Sequence, residues 1–361
     1  MEKYRVGIVG ATGMVGQRFI SLLKDHPWFE VNCVAASARS AGKTYREAVG
    51  ERWAFAWEIP EKVAGMTVVD AADIDEVSKH VDFVFCAVDM KKDEIRALEE
   101  AYAKHEIPVV SNNSACRGIE DVPMVVPEIN ADHLAVIEAQ KKRLGTKNGF
   151  IAVKPNCSIQ SYVPALTPLL DFEPEKVSVC TYQAISGAGK TFKTWPEMVD
   201  NVIPYIGGED EKSENEPLKL WGHVEDGKIV NATLPVISAQ CLRVACSDGH
   251  MAAGSVSFKK KPTIEQIKER WANYETEAQR LELPSAPKPF LQYFEDPSRP
   301  QTRLDRDFQN GFGVSIGRLR EDKLFDYRFV CLSHNTVRGA AGGGILTAEL
   351  LCRKGYIPHR V

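Results

Sequence analysis

One of the nine cysteines, Cys157, occupies a position where its thiol could act as a nucleophile. It lies in the segment KPNCSIQ, where an apolar β-run ends and a helix is predicted to begin near Asn156. The dipole at a helix N-terminus stabilises a thiolate, which is the nucleophilic form of cysteine. A buried structural cysteine is the equal alternative on position alone. Cys116, in the polar loop SNNSACR, is the rival nucleophile.

A glycine-rich turn near the N-terminus indicates a dinucleotide site. The sequence GATGMVGQ at residues 10–17 follows a short apolar run and precedes a segment whose apolar residues fall at helical spacing. At the first strand-to-helix turn of an α/β chain, such glycines let backbone N–H groups face a pyrophosphate. An ordinary glycine-rich turn is the alternative. The expected cofactor contacts in this turn are Gly10, Thr12, Gly13, Met14 and Val15.

The end of the second predicted strand distinguishes the two nicotinamide cofactors. An NAD site normally carries Asp or Glu there for the ribose 2′-hydroxyl, but residues 35–43 read AASARSAGK and contain no carboxylate. Arg39, with the hydroxyls of Ser37 and Ser40, offers a charge and hydrogen bonds to a 2′-phosphate. The sequence therefore favours NADP(H) over NAD. A solvated arginine on a surface turn is the alternative.

A thiolate beside a nicotinamide cofactor implies aldehyde or acyl chemistry, because a hemithioacetal can lose a hydride and become a thioester. Such a site needs an acid/base group. Among the eight histidines, His250 follows the turn SDG and opens a predicted strand seven residues after Arg243. His334, in LSHN, is the competing candidate, and a structural role is the alternative for either histidine. No metal site is predicted.

The elements that would position these residues fall into two groups. Residues 4–111 contain short apolar strands alternating with helices, which is typical of a Rossmann-like, doubly wound parallel sheet in an α/β chain. From residue 150 the strands are longer, and those at 313–319 and 325–332 are predicted to form an antiparallel hairpin in an α+β domain. We expect an NADP-binding domain at residues 1–155, completed by the C-terminal helix at 338–361, and a catalytic domain at residues 156–337.

Composition excludes several classes of function. With 45 Lys and Arg against 49 Asp and Glu, the net charge of −4 is too small to keep 361 residues disordered or to attract nucleic acid. The longest stretch without a charged residue, residues 155–170, is shorter than the roughly 20 residues of a membrane-spanning helix. The N-terminus does not resemble a signal peptide, and the cysteines form no Cys-x-x-Cys pair. We therefore expect a cytoplasmic protein with reduced thiols.

Six motifs, taken in order, make the chain similar to aspartate-β-semialdehyde dehydrogenases of the type found in archaea and fungi. They are GATGMVGQ, SNNSACR, PNCSIQ, YQAISGAGK, RVACSDGH and HNTVRGAAGGGI, and they span essentially the whole chain. Glyceraldehyde-phosphate dehydrogenases share the architecture, but the segment around Cys157 does not resemble theirs. N-acetyl-glutamyl-phosphate reductases also have a different cysteine environment.

The resemblance implies roles in catalysis and substrate binding. Cys157 would be the nucleophile, His250 the acid/base, and Gln183 a group that orients the thiohemiacetal or the substrate. Arg243 would bind the substrate carboxylate, and Glu216 would bind the substrate amino group.

The remaining roles implied by the resemblance concern the phosphate and the nicotinamide. Arg117 and Lys219 would form the phosphate site. An exposed ion pair on a helix is the alternative for the Glu-x-x-Lys pattern that ends at Lys219. Ser186, Gly187 and Asn335 would approach the cofactor near its nicotinamide.

The implied activity is the reversible, NADPH-dependent reduction of L-aspartyl 4-phosphate to L-aspartate 4-semialdehyde and phosphate through a thioester on Cys157. This step leads toward lysine, methionine and threonine. A paralogous acyl-CoA reductase, such as malonyl-CoA reductase, is the alternative enzyme, and a non-catalytic NADP-binding regulatory protein is the alternative of another class. The resemblance also implies a homodimer or homotetramer built through the second domain.

Overall fold

The N-terminal part of the chain folds around a parallel sheet; the computed structural model describes residues 2–359. The strands of this sheet are β1 (Tyr4–Val9), β2 (Phe29–Ala36), β3 (Val69–Asp70), β4 (Phe83–Cys86), β5 (Val109–Ser111) and β6 (Ile151–Val153). The helices of this part are α1 (Met14–Leu23), α2 (Tyr45–Val49), α3 (Glu61–Ala64), α4 (Ile74–Ser78), α5 (Lys92–Lys104) and α6 (Ile137–Leu144).

The order of the strands places a crevice next to the glycine turn. The sheet runs β3-β2-β1-β4-β5-β6, with neighbouring strands parallel. Its strands are buried on both faces, and Val6, Ile8 and Phe83 are fully buried. Because the order reverses between β1 and β4, ligands are expected at the carboxyl ends of these strands. The predicted Rossmann-like, doubly wound sheet is confirmed.

The second part of the chain builds a mixed sheet. Its strands and an accompanying hairpin are β7 (Pro174–Gln183), β8 (Val202–Ile203), β9 (His223–Glu225), β10 (Lys228–Val230), β11 (Val236–Val244), β12 (His250–Phe258), β13 (Leu291–Phe294), β14 (Val314–Glu321) and β15 (Tyr327–Ser333). The helices are α7 (Ile159–Leu166), α8 (Glu209–Leu220), α9 (Ile264–Ala272), α10 (Glu277–Arg280), α11 (Thr302–Asp305) and α12 (Gly342–Arg353). Seven strands pair in the order β13-β14-β15-β12-β7-β11-β8, and β9 pairs with β10. Strands β14 and β15 are antiparallel, which confirms the predicted hairpin.

The two faces of the seven-stranded sheet have different surroundings. Along β12 every second residue is buried, as the period of two in a strand requires. The buried face shares a hydrophobic core with α7 and with Trp271 of α9. The opposite face carries exposed Ser178 and Tyr182 on β7 and exposed Gln240 on β11. One side of this sheet is therefore open to a partner or to solvent.

The last helix, α12, packs against the first sheet. Its residues Ile345, Leu346 and Leu350 belong to the same hydrophobic core as Val6 and Phe19. The chain therefore returns to its N-terminal part after completing the second sheet. The domain limits given above remain a prediction.

Neither a membrane span nor a cluster of metal ligands occurs within residues 2–359. No helix in that range is both long enough and apolar enough to cross a membrane. In the same range, no group of three or more His, Cys, Asp or Glu side chains is arranged to hold a metal ion.

Candidate active site

The structure brings Cys157 and His250 together from distant parts of the chain. Cys157 lies between the end of β6 and the start of α7, and His250 is the first residue of β12. The Cys157 Sγ and His250 Nε2 atoms are 3.4 Å apart. The rival Cys116 is fully buried in the hydrophobic core, where burial raises the pKa of its thiol. Cys157 is therefore the cysteine placed to react.

The hydrogen bonds of His250 determine which ring nitrogen carries the proton. The Ala184 N–H donates to Nδ1 at 3.0 Å, so the neutral ring carries its proton on Nε2. Burial and the neighbouring Arg243 lower the pKa of His250 well below its usual range, which keeps the ring neutral at neutral pH. The Nε2–H group therefore points at the Cys157 sulfur as a hydrogen-bond donor.

His334, the competing histidine, faces other partners. Its Nε2 lies 3.7 Å from the Asp307 carboxylate, and its Nδ1 accepts a hydrogen bond from the Thr336 N–H at 3.3 Å. Burial lowers the pKa of His334 to about 4. The geometry thus favours His250 as the acid/base candidate.

The electrostatic environment of the Cys157 thiol differs from the expectation based on the helix dipole. Burial, followed by the Glu209 carboxylate, raises the pKa of Cys157 above its ordinary value. The cations Lys154, Arg117 and Arg243 lower this pKa without offsetting the burial. Helix α7 begins only at Ile159, beyond the cysteine. Burial therefore acts against the thiolate that the helix dipole is expected to stabilise, and the stabilised thiolate stays a prediction.

Gln183 and Arg243 lie side by side at the ends of the parallel strands β7 and β11. The Gln183 Nε2 donates to the Glu209 carboxylate at 3.1 Å, and the Arg243 Nη1 donates to a backbone carbonyl just after β7 at 2.7 Å. Gly187 lies so close that an added Cβ would be 2.8 Å from the Arg243 Nη1 and 2.9 Å from the His250 Nε2. A glycine is therefore needed for these two side chains to share the site.

Helix α8 carries Glu216 and Lys219, but both side chains are held by the protein itself. The Glu216 carboxylate accepts hydrogen bonds from the Arg117 Nη1 at 2.9 Å and from the Asn156 N–H at 2.5 Å. The Lys219 Nζ donates at 2.7, 2.7 and 3.0 Å to the backbone carbonyls of Arg117, Ile119 and Val122. This ammonium has no proton left for a phosphate. The substrate contacts that the resemblance implies for Glu216 and Lys219 stay predictions, and in this structure both side chains bond to the protein itself.

A second Glu-x-x-Lys pair on α8, Glu209 and Lys212, faces the site and was missed in the sequence. Glu209 accepts hydrogen bonds from the Asn156 Nδ2 at 2.9 Å and the Gln183 Nε2 at 3.1 Å, and pairs with the Lys212 Nζ at 2.8 Å. Burial raises the pKa of Glu209, but Lys212 and these hydrogen bonds bring it below its ordinary value. The two pairs are seven residues apart, nearly two helical turns, so they share one face of α8.

Arg117 and Asn112 contribute buried polar atoms beside the same pair. The Arg117 Nη2 donates to the backbone carbonyl of Asn112 at 3.0 Å. Within residues 2–359, the Arg117 Nε and both polar atoms of the Asn112 amide are buried and have no hydrogen-bond partner. Buried polar groups without partners are costly, and the two donors among these atoms, the Arg117 Nε and the Asn112 Nδ2, suit an anion. Asn112 was missed, although it lies in the motif SNNSACR.

A cavity of about 530 Å³ at the carboxyl ends of β1 and β2 contains the glycine turn. Gly10 has a φ of +90°, and a Cβ there would lie 2.3 Å from the Ala87 carbonyl oxygen. Helix α1 starts without a side-chain cap, so its first N–H groups remain available to a phosphate. The predicted cofactor residues that line this cavity are Gly10, Thr12, Gly13, Ser37, Arg39 and Ser40.

Two further cations, Lys43 and Arg52, line the same cavity and were missed. Lys43 closes the segment AASARSAGK that already carries Arg39, so its position was visible in the sequence. Arg52 ends the short 3-10 helix Gly50–Arg52, and its backbone carbonyl accepts a hydrogen bond from the Gln17 Nε2 at 3.1 Å. Three cations in one cavity fit a cofactor with a 2′-phosphate.

The other predicted cofactor residues lie toward the catalytic pair. Met14 and Ser186 line a smaller cavity of about 160 Å³. The Asn335 Nδ2 donates to the Ser186 Oγ at 2.8 Å, and the Asn335 Oδ1 accepts from the Gly249 N–H at 2.8 Å, directly before His250. Val15 packs against the hydrophobic core of the first domain and lines neither cavity.

Comparisons with known proteins agree along the whole chain. Residues 5–137 match the family model of the semialdehyde dehydrogenase NAD binding domain, and residues 166–338 match that of the dimerisation domain. The aspartate-semialdehyde dehydrogenase of Aspergillus fumigatus is 43% identical to the chain, and the match covers 98% of this chain and 99% of that protein. The aspartate-semialdehyde dehydrogenase of Archaeoglobus fulgidus is also 43% identical, and the match covers 98% of this chain and 100% of that protein. The crystal structure of aspartate semialdehyde dehydrogenase with NADP from Candida albicans has a TM-score of 0.89 and 39% identity, covering 99% of this chain and 100% of that one.

Proposed function

The chain belongs to the aspartate-semialdehyde dehydrogenase family, and from this premise we propose how its residues reduce L-aspartyl 4-phosphate to L-aspartate 4-semialdehyde and phosphate with NADPH. The family and the cofactor NADP(H) predicted from the sequence are confirmed by these relatives and by the structural neighbour with NADP. An acyl-CoA reductase is not favoured, because the matched relatives are aspartate-semialdehyde dehydrogenases. A non-catalytic protein is not favoured, because the chain keeps both Cys157 and His250 in contact.

The observation that carries the proposal is the 3.4 Å contact between the Cys157 Sγ and the His250 Nε2. Around this pair, Gln183, Glu209 and Arg243 converge from separate elements of the second domain. A thiol, a fixed N–H donor and groups of both charges in one site are what a thioester mechanism on an amino-acid substrate requires.

The large cavity fits NADP(H), and the residues that would hold it are distributed along its length. Its pyrophosphate would bind at the glycine turn and the uncapped start of α1. Arg39, Lys43 and Arg52 would hold the 2′-phosphate, and Ser186 and Asn335 would contact the nicotinamide end. When bound, NADPH supplies the hydride that reduces the thioester.

The substrate is held by charged groups on three sides of Cys157. Arg243 binds the α-carboxylate, because its buried guanidinium already lies beside His250 and Gly187. We assign the α-ammonium to Glu209 because its carboxylate bonds to Gln183, which ends β7 beside Arg243, and to Asn156, which directly precedes Cys157. The transferred phosphate is bound by the Arg117 guanidinium, which lies next to the buried amide of Asn112.

The chemistry of the chain begins with ionisation of the Cys157 thiol, whose proton passes to water because the His250 Nε2 already carries one. The thiolate forms a C–S bond to the acyl carbon, the C–O bond to phosphate breaks, and phosphate leaves beside Arg117. After reduction of the thioester, the oxygen of the hemithioacetal carries the negative charge. The His250 Nε2–H donates a hydrogen bond to this oxyanion and keeps its proton, so the acid/base role that the resemblance implies for His250 stays a prediction. The oxyanion re-forms the carbonyl, the C–S bond breaks, and Cys157 leaves as the thiolate.

An assay of the oxidative direction tests this proposal. The chain is given aspartate semialdehyde and NADP with either phosphate or coenzyme A as acceptor. We expect NADPH formation with phosphate, little with coenzyme A, and none with the Cys157→Ser variant. Efficient turnover with coenzyme A would contradict the proposed substrate and return the acyl-CoA reductase alternative.

We also propose that the chain forms a homodimer through its second domain, since residues 166–338 match a dimerisation domain. The open face of the seven-stranded sheet and the loops at its edge expose large apolar side chains, including Val202, Tyr205 and Val236 at 54, 71 and 63% exposure. Exposed large apolar side chains on the matched domain support an interface there. Sedimentation should show a dimer or a tetramer, and an active monomer would contradict this assembly. The cytoplasmic location stays a prediction.

A further inference from the structure

Arg18 on α1 carries a buried guanidinium that no step of the proposed reaction uses. The side chain is 8% exposed, and its Nε atom is buried without a hydrogen-bond partner anywhere in residues 2–359. A guanidinium has five N–H donors and keeps its charge in proteins. Because burying such a donor without an acceptor is costly, an unpaired one indicates a place where a ligand supplies the acceptor.

Two aromatic rings hold the Arg18 side chain in place. Its Cζ atom lies 4.1 Å from the centre of the Phe55 ring and 5.6 Å from that of Trp57, and the two rings are stacked with their centres 4.9 Å apart. Trp57 is itself fixed to α1, because its Nε1 donates to the Ser21 Oγ at 3.1 Å. Such contacts stabilise the cation without supplying an oxygen or nitrogen acceptor. The rings therefore orient the guanidinium and leave its Nε–H unpaired.

The carboxylates around Arg18 act on it without accepting from its Nε. Burial lowers the pKa of Arg18, and the carboxylates of Asp248 and Asp307 raise it. Asp307 lies 3.8 Å from the Arg306 Nε and 3.7 Å from the His334 Nε2. Asp248 lines the same cavity as Arg18, but the Nε has no acceptor among the described residues, 2–359. A ligand in that cavity can therefore take the donor.

The cavity that Arg18 lines lies between the glycine turn and the catalytic pair. Its volume is about 160 Å³, and its lining comes from both parts of the chain and includes Met14, Arg18, Phe55, Ser186, Lys190 and Asp248. A cavity of about 150 Å³ accommodates a benzene ring, so this one has room for a single aromatic ring.

The two ends of this cavity indicate which ring it receives. Met14 directly follows Gly13, which lines the larger cavity of the cofactor. At the other end Ser186 precedes Gly187, where an added Cβ would be 2.9 Å from the His250 Nε2. With its pyrophosphate at the glycine turn, NADPH can deliver a hydride beside Cys157 only if its nicotinamide occupies the space between these ends.

We propose that Arg18 is a cofactor-binding residue whose Nε–H donates a hydrogen bond to the carboxamide oxygen of the nicotinamide. The inference rests on the proposed function, which brings the nicotinamide to this cavity. A charged donor makes the stronger kind of hydrogen bond to such an oxygen. Ser186 and Asn335 approach the ring from the second domain, and Arg18 adds a contact from the first. The carboxamide is thereby held in one orientation.

Isothermal titration calorimetry with two ligands tests the inference. They are NADP and ADP-ribose 2′-phosphate, which is NADP without its nicotinamide. Arg18→Met should raise the Kd of NADP by about 10- to 150-fold, the range of a charge-assisted hydrogen bond, and change that of ADP-ribose 2′-phosphate by less than about threefold. Arg52→Met is the matched control, because Arg52 lines the larger cavity and should weaken both ligands by similar factors. Thermal unfolding without ligand checks the folding of both variants.

A second comparison already has a readout in the parent and does not depend on the folding of a variant. The thionicotinamide analogue of NADP replaces the carboxamide oxygen by sulfur, which is a weaker acceptor. The parent should bind this analogue about 2- to 10-fold more weakly than NADP, whereas Arg18→Met should bind the two equally.

The outcomes separate this inference from the proposed function. Equal losses of both ligands in Arg18→Met would mean that Arg18 only supports the aromatic rings, and an unchanged Kd for NADP would mean that it makes no contact. Equal affinities of the parent for NADP and the thionicotinamide analogue would mean that no hydrogen bond reaches the carboxamide. Each of these results overturns the inference while the parent still forms NADPH from aspartate semialdehyde and phosphate. A parent that forms no NADPH contradicts the proposed function instead.

Discussion

Replacing Glu209 by Gln should weaken recognition of the substrate amino group. Glu209 is 7% exposed, and its carboxylate faces Asn156, Gln183 and Lys212. The amide of glutamine keeps the shape of the side chain but removes its charge. An aspartyl substrate would then place its α-ammonium in a buried site without a counter-charge, which costs free energy in the ground state and in the transition state alike.

The expected magnitude follows from the loss of one buried, charge-assisted hydrogen bond. Such a bond contributes about 1.5–3 kcal/mol, which corresponds to roughly a 10- to 150-fold decrease in kcat/KM for aspartate semialdehyde. Succinic semialdehyde lacks the amino group, so the parent should reject it by a factor on the order of 10⁴. Glu209→Gln should reduce this discrimination by the same 10- to 150-fold, because aspartate semialdehyde loses a charge-assisted hydrogen bond that succinic semialdehyde does not make.

The assay compares kcat/KM for both aldehydes in the parent, in Glu209→Gln and in Glu216→Gln. Glu216 holds Arg117 and the Asn156 N–H, so its variant should raise the KM for phosphate and keep the discrimination between the aldehydes. Thermal unfolding of each variant checks that folding is preserved. If Glu216→Gln loses the discrimination and Glu209→Gln retains it, the assignment made from the structure is wrong and the one implied by the family resemblance is right.

The remaining predictions concern the thiol, the cofactor and the histidine. Cys157→Ser should lower kcat by about 10³-fold or more without changing the melting temperature, because a hydroxyl is a far weaker nucleophile than a thiolate. Labelling of Cys116 by a substrate-like electrophile, with Cys157 untouched, would contradict the assignment of Cys157 as the nucleophile. Alkylation of Cys157 in the parent should accelerate with rising pH, with a midpoint above that of an ordinary cysteine, because burial favours the neutral thiol; a midpoint below neutrality would refute it. Arg39→Ala should weaken NADP binding by about 10- to 150-fold and NAD binding far less, because only NADP carries the 2′-phosphate. Titration of both cofactors measures the two losses. Equal losses would mean that Arg39 only supports the turn. His250→Asn should slow hydride transfer by about 10²- to 10³-fold in rapid-mixing experiments while Cys157 still reacts with iodoacetamide; loss of that reactivity would make His250 a partner of the thiolate instead.

Much of the fold is visible in the sequence because it depends on local order. An apolar run, a glycine turn and a helical pattern in succession specify strand, turn and helix, and their repetition specifies a parallel sheet. The glycine turn at residues 10–17 needs no distant partner to create an uncapped helix start. The candidate nucleophile could be picked out for the same reason, since Cys157 lies at a junction between strand and helix that the local pattern already shows.

The charged groups around the thiol could not be assigned in this way. Glu209 and Glu216 begin identical Glu-x-x-Lys patterns two turns apart on α8, so helical periodicity places both on one face and cannot choose between them. The choice depends on how α8 lies against the loops of Arg117 and Asn156, which come from other parts of the chain.

Tertiary packing also adds an effect on the nucleophile that the sequence does not show. The sequence predicts that the dipole of the adjacent helix lowers the pKa of Cys157, whereas burial beside Glu209 in the folded chain raises it. Lys154, which acts against that shift, bonds to Gly339, a residue 185 positions away. Hydrogen-bonding patterns within a helix or turn are local and can be read from the order of residues. Desolvation and Coulomb interactions depend on distances through space, and these exist only once the chain has folded.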